Sequence, residues 1–253
     1  NNFWAKSGET GYEKYFKNIQ NQAFHPAFKN EIGYGEINGA MYVNTAHFLQ
    51  TYRQYLQKID SYIEVKFEYK DLILHEKSVS WKGIEAKKII FCEGHQTRFN
   101  PHFDWLPFVP AKGELLIIEA KSLDLEATAQ IVKNKITILP IGNDQYWIGS
   151  TYEWNKIDEA PTPKRREELL AQLENTIKVP YKIITHQAGI RPSAKDRRPF
   201  VGLHPKHPNL GVFNGLGTKG VSLSPYFAHH FAAHLEEGEE LEKVVDIRRY
   251  FVG

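Results

Sequence analysis

The chain has 253 residues, 42% of them hydrophobic and 25% charged, an ordinary globular composition with enough apolar material for one large domain or two small ones. Lys+Arg 32 against Asp+Glu 30 leave a formal charge of +2, too balanced for a nucleic-acid or anionic-membrane binder. No run approaches the ~20 apolar residues of a membrane span, and the single cysteine, Cys92, excludes an internal disulfide and a cysteine-built metal site.

A reducing, cytoplasmic location is therefore expected. The chain opens without Met on Asn1-Asn2-Phe3-Trp4. That opening reads as the interior of a helix and points to a processed or deliberately cut polypeptide. Residues 1–28, rich in aromatics and Lys without a clean period, suggest short helices. A strand and turn are expected between Glu31 and Val43. Asn44-Thr45 then offers N-cap chemistry for a helix through Phe48, Leu49, Tyr52, Tyr55, Leu56 and Ile59, which recur at helical spacing.

After Asp60 the period changes. Ile63, Val65 and Phe67 alternate as in a strand, and a meander follows through Leu72, Leu74, Val79 and Trp81, turning at Lys82-Gly83. Ile89-Ile90-Phe91-Cys92 is an unbroken apolar run ending near Gly94, the pattern of a fully buried, parallel strand. It makes Cys92 a core residue rather than a nucleophile. Prolines 101, 107 and 110 break the chain; strand-like runs follow at 113–120, 136–140 and 146–151. Pro161-Thr162-Pro163 opens a charged helix from Lys164 to about Ile177, and a strand from Tyr181 to Ala188 leads into Gly189-Ile190-Arg191-Pro192.

The most informative stretch is Asn209 to Ala228. Strand-like Leu210, Val212 and Phe213 lead into Gly215, Gly217 and Gly220, and a helix follows from Val221 towards Leu235. Glycines let backbone approach a ligand closely, and a helix start offers unpaired N–H groups and partial positive charge, a place for something negative. The spacing Gly215-x-Gly217-x-x-Gly220 also fits the dinucleotide fingerprint, but that fingerprint needs a further strand ~20 residues on. Too little chain remains after Gly238 to complete such a unit. A ligand-free strand–helix turn accounts for the spacing equally well.

Five runs taken together carry more. They are Lys87 to Gly94, Pro110 to Glu114, Gly149 to Glu153, Ala188 to Gly202 (AGIRPSAKDRRPFVG) and Phe213 to Pro225 (FNGLGTKGVSLSP). In this order and spacing they resemble the FAD-dependent oxidoreductases of the D-amino acid oxidase and glycine oxidase type, from about Gly33 to Val252. The resemblance implies a mixed α+β fold. A substrate domain with a mixed, largely antiparallel sheet (1–39 and 100–186) would accompany an incomplete, discontinuous FAD-binding domain (40–99 and 187–253). Members normally begin with a strand, a Gly-rich turn and a helix for the ADP half of FAD. No such segment stands here, so the resemblance implies an N-terminally truncated chain.

By the same resemblance, the start of the last long helix points at the pyrimidine edge of the flavin and favours the anion of the reduced ring. Gly217, Thr218, Lys219 and Gly220 would supply N–H groups, typically ~3 kcal/mol each on a developing charge. Gly215 and Val221 would flank them, and Gly94 would let backbone approach the cofactor. Arg191 stands where amino-acid-oxidising relatives clamp the substrate carboxylate with a guanidinium, a planar fork suited to that group; a loop arginine paired with Asp196 is the bland alternative. Glycine oxidases carry a Tyr just before the proline where this chain has Thr137-Ile138-Leu139-Pro140, and an Arg in the final turn where it has Thr218, so glycine is not the expected substrate.

Other constellations are weaker. His230 and His234 lie one helical turn apart beside His229, but no third ligand accompanies them, and solvated helix histidines explain them without a metal. No G-x-S-x-G elbow is present. The expected activity is oxidation of the C–N bond of an amino acid or amine, with FAD as cofactor and a small-molecule partner. The alternative is a non-catalytic folded remnant or interaction domain without cofactor, whose exposed strand edge would make it a homo-oligomer.

Overall fold

The computed structural model describes residues 13–20, 24–29, 33–125 and 130–252. The helical reading of Asn1 to Trp4 lies outside the described residues. Within the rest of the segment expected to hold short helices, Phe16–Gln20 is a strand, β1. Antiparallel pairing with β2 (Tyr34–Ile37), Phe16 opposite Ile37 and Gln20 opposite Tyr34, overrides local preference.

Helix α1 (Thr45–Lys58) forms where its apolar spacing predicts, and Asn44 caps it by accepting the His47 N–H at 3.1 Å. Residues 61–68 form no ladder among the described residues, although their alternation predicts one. Ile63 and Val65 stay exposed and only Phe67 packs inward. Alternation gives a strand its faces, but a strand also needs an edge to pair with.

The predicted meander follows as β3 (Leu72–Leu74), β4 (Val79–Trp81) and β5 (Ile84–Ala86). Its second turn has positive φ at both Lys82 (46°) and Gly83 (83°), the backbone twist that matches a tight hairpin. Then come β6 (Ile89–Phe91), β7 (Ala111–Glu119), β8 (Val132–Lys133), β9 (Thr137–Gly142) and β10 (Gln145–Gly149). Helix α2 (Pro163–Glu174) starts with Pro163 in its first turn and Thr162 as cap. β11 (Lys182–Arg191), β12 (Phe200–His204), β13 (His207–Asn214) and α3 (Gly220–Glu237) complete the chain. Gly238, at φ 76°, ends α3 in the left-handed conformation.

The chain divides into two compact units, one of residues 1–42, 113–152 and 158–189, the other of residues 43–112, 153–157 and 190–253. In the first, strands run in the order β11-β7-β10-β9-β8, and each of the pairs β7–β10, β10–β9 and β9–β8 is antiparallel. Alternate residues of β7, β9 and β10 point into one core: Leu116, Ile118, Ile138, Tyr146 and Ile148 are fully buried, and α2 lays Leu169 and Leu173 on them. The Tyr146 hydroxyl, buried with its ring, accepts the Leu125 N–H at 3.3 Å.

In the second unit β12, β13 and β6 form a three-stranded sheet. The hairpin β12–β13 is antiparallel, whereas β13 and β6 are parallel, Val212 opposite Phe91. Phe91, Phe103, Phe200, Leu210, Val212 and Ile247 make its core, and Phe227 and Phe231 of α3 pack with Val201. The strand read as fully buried is parallel, but only Phe91 is buried in it; Ile89 and Ile90 are half-buried because β6 stands at the sheet's edge. Cys92 is exposed, not core. It lies past the last paired residue of β6, opposite in sense to Phe91. The fold is mixed α+β with mostly antiparallel sheets, as expected.

The end of the β12–β13 hairpin holds an aromatic cluster around His204, which is 8% exposed. Its ring lies 5.0 Å from His207, 5.6 Å from Phe103 and 5.9 Å from Trp105. Its Nδ1 accepts the N–H groups of Lys206 and His207, each at 3.1 Å, so that nitrogen must be unprotonated. Burial, then the neighbouring His207, His102 and Lys206, push its pKa from 6.5 down to about 4. A histidine held neutral contributes stability above its unfolded pKa and loses it as pH falls towards the folded one. Unfolding free energy should thus drop by roughly 2–3 kcal/mol between pH 7 and pH 4 on account of this group. Urea midpoints of the wild type and His204→Phe, compared at both pH values, check it: the drop should be smaller in the variant.

Candidate functional site

The parallel register of β6 and β13 brings two glycine turns together. Leu210 lies opposite Ile89, Gly211 opposite Ile90 and Val212 opposite Phe91, so both strands end at the same rim of the sheet. From β6 the chain passes Glu93 and Gly94, at φ 56°, into a 3-10 turn, Gly94–Phe99. From β13 it passes Asn214 and Gly215, at φ 75°, into a second 3-10 turn, Gly217–Lys219, which runs straight into α3.

Steric limits explain two of the glycines. A Cβ on Gly211 would stand 2.5 Å from Ile90 Cδ1, which is why the parallel strands can lie flush. One on Gly215 would stand 2.8 Å from Phe200 Cδ2 and 3.1 Å from the Phe200 backbone nitrogen, on a backbone that already disfavours L side chains.

Buried and half-buried polar groups hold the two turns. Asn214, 4% exposed, donates from Nδ2 to the Gly94 carbonyl (2.8 Å) and to Thr97 Oγ1, while its Oδ1 accepts the Gly215 N–H (2.8 Å). The Glu93 carboxylate accepts the Tyr69 hydroxyl at 2.6 Å and Asn100 Nδ2 at 3.0 Å. Burial, reinforced by that carboxylate, pushes the Tyr69 phenol well above its ordinary value. Thr97 and Asn100 are fully buried. A lone Asn or Glu beside a strand end has no spacing signature, and sequence reasoning gave no role to any of these five residues.

The amides of the second turn are partly committed. The Gly217 N–H donates to the Pro192 carbonyl at 3.1 Å and the Lys219 N–H to the Leu216 carbonyl at 3.0 Å. The N–H groups that the resemblance implies for Gly217 and Lys219 are thus engaged within the protein. The turn is docked on the segment after β11, where Leu216 bridges Ser193. No side chain caps the start of α3 at Lys219, Thr218 and Lys219 are exposed, Gly220 is half-buried, and Val221 is 53% exposed. The helix start is therefore not sealed by a capping residue.

Arg191 ends β11, half-buried, and its carbonyl accepts the Ser193 N–H at 2.9 Å. Asp196, the acid considered as its partner, receives Arg249 Nε at 3.2 Å and the Arg198 N–H at 3.0 Å. The helix histidines are tied rather than merely solvated: His230 Nε2 accepts the Glu242 N–H at 3.0 Å, and His234 Nδ1 lies 2.6 Å from the Glu239 carbonyl. Among the described residues no group of His, Cys, Asp or Glu is disposed to hold a metal ion, and no helix is long and apolar enough to cross a membrane.

The first unit carries a polar cluster of its own, also unannounced by the sequence. Glu114, 1% exposed, accepts the Thr162 N–H at 2.8 Å and the Thr162 hydroxyl at 3.0 Å. His186 Nε2 lies 2.9 Å from the same carboxylate, outside hydrogen-bond alignment. Thr162 is also the cap of α2, so the buried carboxylate fixes where that helix begins.

A family model for FAD dependent oxidoreductases matches residues 23–234. The chain belongs to that family. Among curated proteins similar to this chain, the tRNA 5-methylaminomethyl-2-thiouridine biosynthesis bifunctional protein MnmC of Idiomarina loihiensis is 24% identical over 162 residues, 60% of this chain and 26% of its own. The glycine oxidase of Pseudomonas aeruginosa is 28% identical over 122 residues, 47% of this chain and 33% of its own. The matched part therefore spans about a quarter to a third of those relatives. Among solved structures, an L-amino acid deaminase from Proteus vulgaris superposes with a TM-score of 0.66 at 18% identity, covering 98% of this chain and 67% of that one. A glycine oxidase from Geobacillus kaustophilus gives 0.57 at 22%, covering 74% and 52%. Both share the fold.

The steric contrast between the two turns gives a direct check. Gly94→Ala meets open space and should cost only the backbone strain, about 1 kcal/mol, whereas Gly215→Ala should cost about 3 kcal/mol or more because Phe200 must also move. Denaturant unfolding of the two variants measures both; equal losses would contradict the packing.

Proposed function

We propose that this chain is part of an FAD-dependent oxidoreductase that oxidises the C–N bond of an amino acid or amine. The observation that carries the reading is the pair of glycine turns at one rim of a parallel strand pair, followed by a helix whose start no side chain caps, in a chain of this family. Such a rim suits a flat, electron-rich group: the glycines admit close backbone approach and the helix start favours negative charge. When bound, FAD supplies the acceptor for the hydride of the carbon next to nitrogen.

In this reading residues 1–39 and 100–186 are the substrate domain, and 40–99 with 187–253 belong to the flavin domain; the two compact units, with nearby boundaries, support the division. Gly94 and Gly215 let the two turns approach the cofactor. Thr218, Gly220 and Val221 present the helix start to it, and Gly217 and Lys219 shape the turn through bonds to Pro192 and Leu216. Arg191 receives the substrate carboxylate in its planar fork. The relatives named for glycine and L-amino acids favour an amino-acid substrate.

A second reading, a cofactor-free module that associates with its own kind, is favoured by α1. None of its side chains is buried, and Phe48, Leu49, Tyr52 and Tyr55 are all more than half exposed along one face. An uncovered apolar stripe of this kind usually marks a contact surface.

Titration of the purified chain with FAD separates the readings. Stoichiometric quenching of flavin fluorescence, with bleaching on addition of an amino acid, supports the first; no quenching together with concentration-dependent sedimentation that Leu49→Glu abolishes supports the second. In an active preparation Arg191→Ala should raise the apparent KM for carboxylate substrates by about 10–100-fold, the loss of one charge-assisted fork. An unchanged KM across all such substrates rejects the clamp.

A further inference from the structure

We infer that Asn214 is a positioning residue: its carboxamide clasps the Gly94 turn to the Gly215 turn and holds the rim between them at a fixed width. Three of its hydrogen-bonding positions are used at once. Nδ2 donates to the Gly94 carbonyl at 2.8 Å and to Thr97 Oγ1, and Oδ1 accepts the Gly215 N–H at 2.8 Å. The first two partners belong to the chain leaving β6, the third to the chain leaving β13, and the strands themselves are paired only up to Val212 and Phe91. Beyond that pair the backbone ladder ends, and the side chain of Asn214 continues it.

The surroundings make the clasp specific for a carboxamide. Asn214 is 4% exposed and Thr97 is fully buried, so water is a poor substitute for a lost partner. Asp or Leu has nearly the same size, but a carboxylate cannot donate to the Gly94 carbonyl and Leu can neither donate nor accept. The backbone at both ends is in the left-handed region, Gly94 at φ 56° and Gly215 at φ 75°, where glycine has many alternatives to lose. Without the clasp nothing in their own side chains keeps them there. The consequence for the cofactor rests on the reading above: a rim fixed before binding requires no ordering when the ligand arrives.

The test compares the wild-type chain with Asn214→Asp, Asn214→Leu and Thr97→Val by hydrogen–deuterium exchange, following residues 92–99 and 213–220. Asn214→Leu should speed exchange in both segments by about tenfold or more while the first unit's strands stay protected. Thr97→Val removes one arm and should give a smaller change, which keeps the clasp testable if Asn214→Leu does not fold. Asn214→Asp supplies a readout that simple loss of packing does not. Facing the Gly94 carbonyl, the introduced carboxyl is disfavoured as an anion and its pKa rises, so both turns should be protected at low pH and released as pH rises through that value. The wild type should show no such transition. Unchanged exchange in one of the two segments on Asn214→Leu, or a flat pH profile for Asn214→Asp, overturns the clasp. FAD titration of the same variants tests the ligand consequence separately: turns that loosen while FAD affinity holds would leave the clasp standing and remove these turns from the cofactor rim.

Discussion

The parallel pairing of β6 with β13 is the constraint on which the candidate site depends. Two strands far apart in sequence end at one rim only because they run the same way and in register, Leu210 beside Ile89 and Val212 beside Phe91. Parallel neighbours require a long crossover, and here it consists of the chain from residue 92 to residue 206, which carries most of the first unit and the strand β12. The absence of a side chain at Gly211 lets Ile90 lie against the backbone, so a small residue in one strand sets the closeness of the pair. From that contact follow the adjacent glycine turns and the direction in which α3 departs.

Hydrogen bonds from buried and half-buried side chains then convert a strand end into a shaped rim. Glu93 stands two residues past the end of β6 and Asn214 in the last position of β13, and between them they fix Tyr69, Asn100, Gly94, Thr97 and Gly215. In a low-dielectric interior each such bond is strengthened and each vacancy is costly, so a carboxamide with both donors and its oxygen engaged favours one geometry over its neighbours. Glu114 does the equivalent in the first unit, where Thr162 both caps α2 and binds the carboxylate. Helix start and sheet are tied by one residue.

How much was visible beforehand depended on how local the signal was. The cap Asn44, the helix start after Pro161-Thr162-Pro163 and the tight Lys82-Gly83 turn are all decided within four or five residues, and each stands where its residues predict. The glycine-rich passage from β13 into α3 was equally plain. The alternating stretch at Ile63 to Phe67 misled because a strand pattern specifies faces but not a neighbour. Cys92 misled for a related reason: hydrophobic succession does not say where pairing stops. Phe16–Gln20 became a strand through a partner strand, Tyr34–Ile37, beyond the reach of any local preference.

By itself the sequence determined the family, through five motifs in order, together with the starts of the three long helices and the glycines that a close backbone approach requires. Those are properties of short windows, set by sterics and by capping hydrogen bonds. The tertiary structure alone decided that Asn214 bridges two turns, that Gly217 and Lys219 spend their amides on Pro192 and Leu216, and that His230 and His234 tie down the segment after α3. Each of these is a hydrogen bond whose donor and acceptor are chosen by register and burial. Neither exists until the strands have paired.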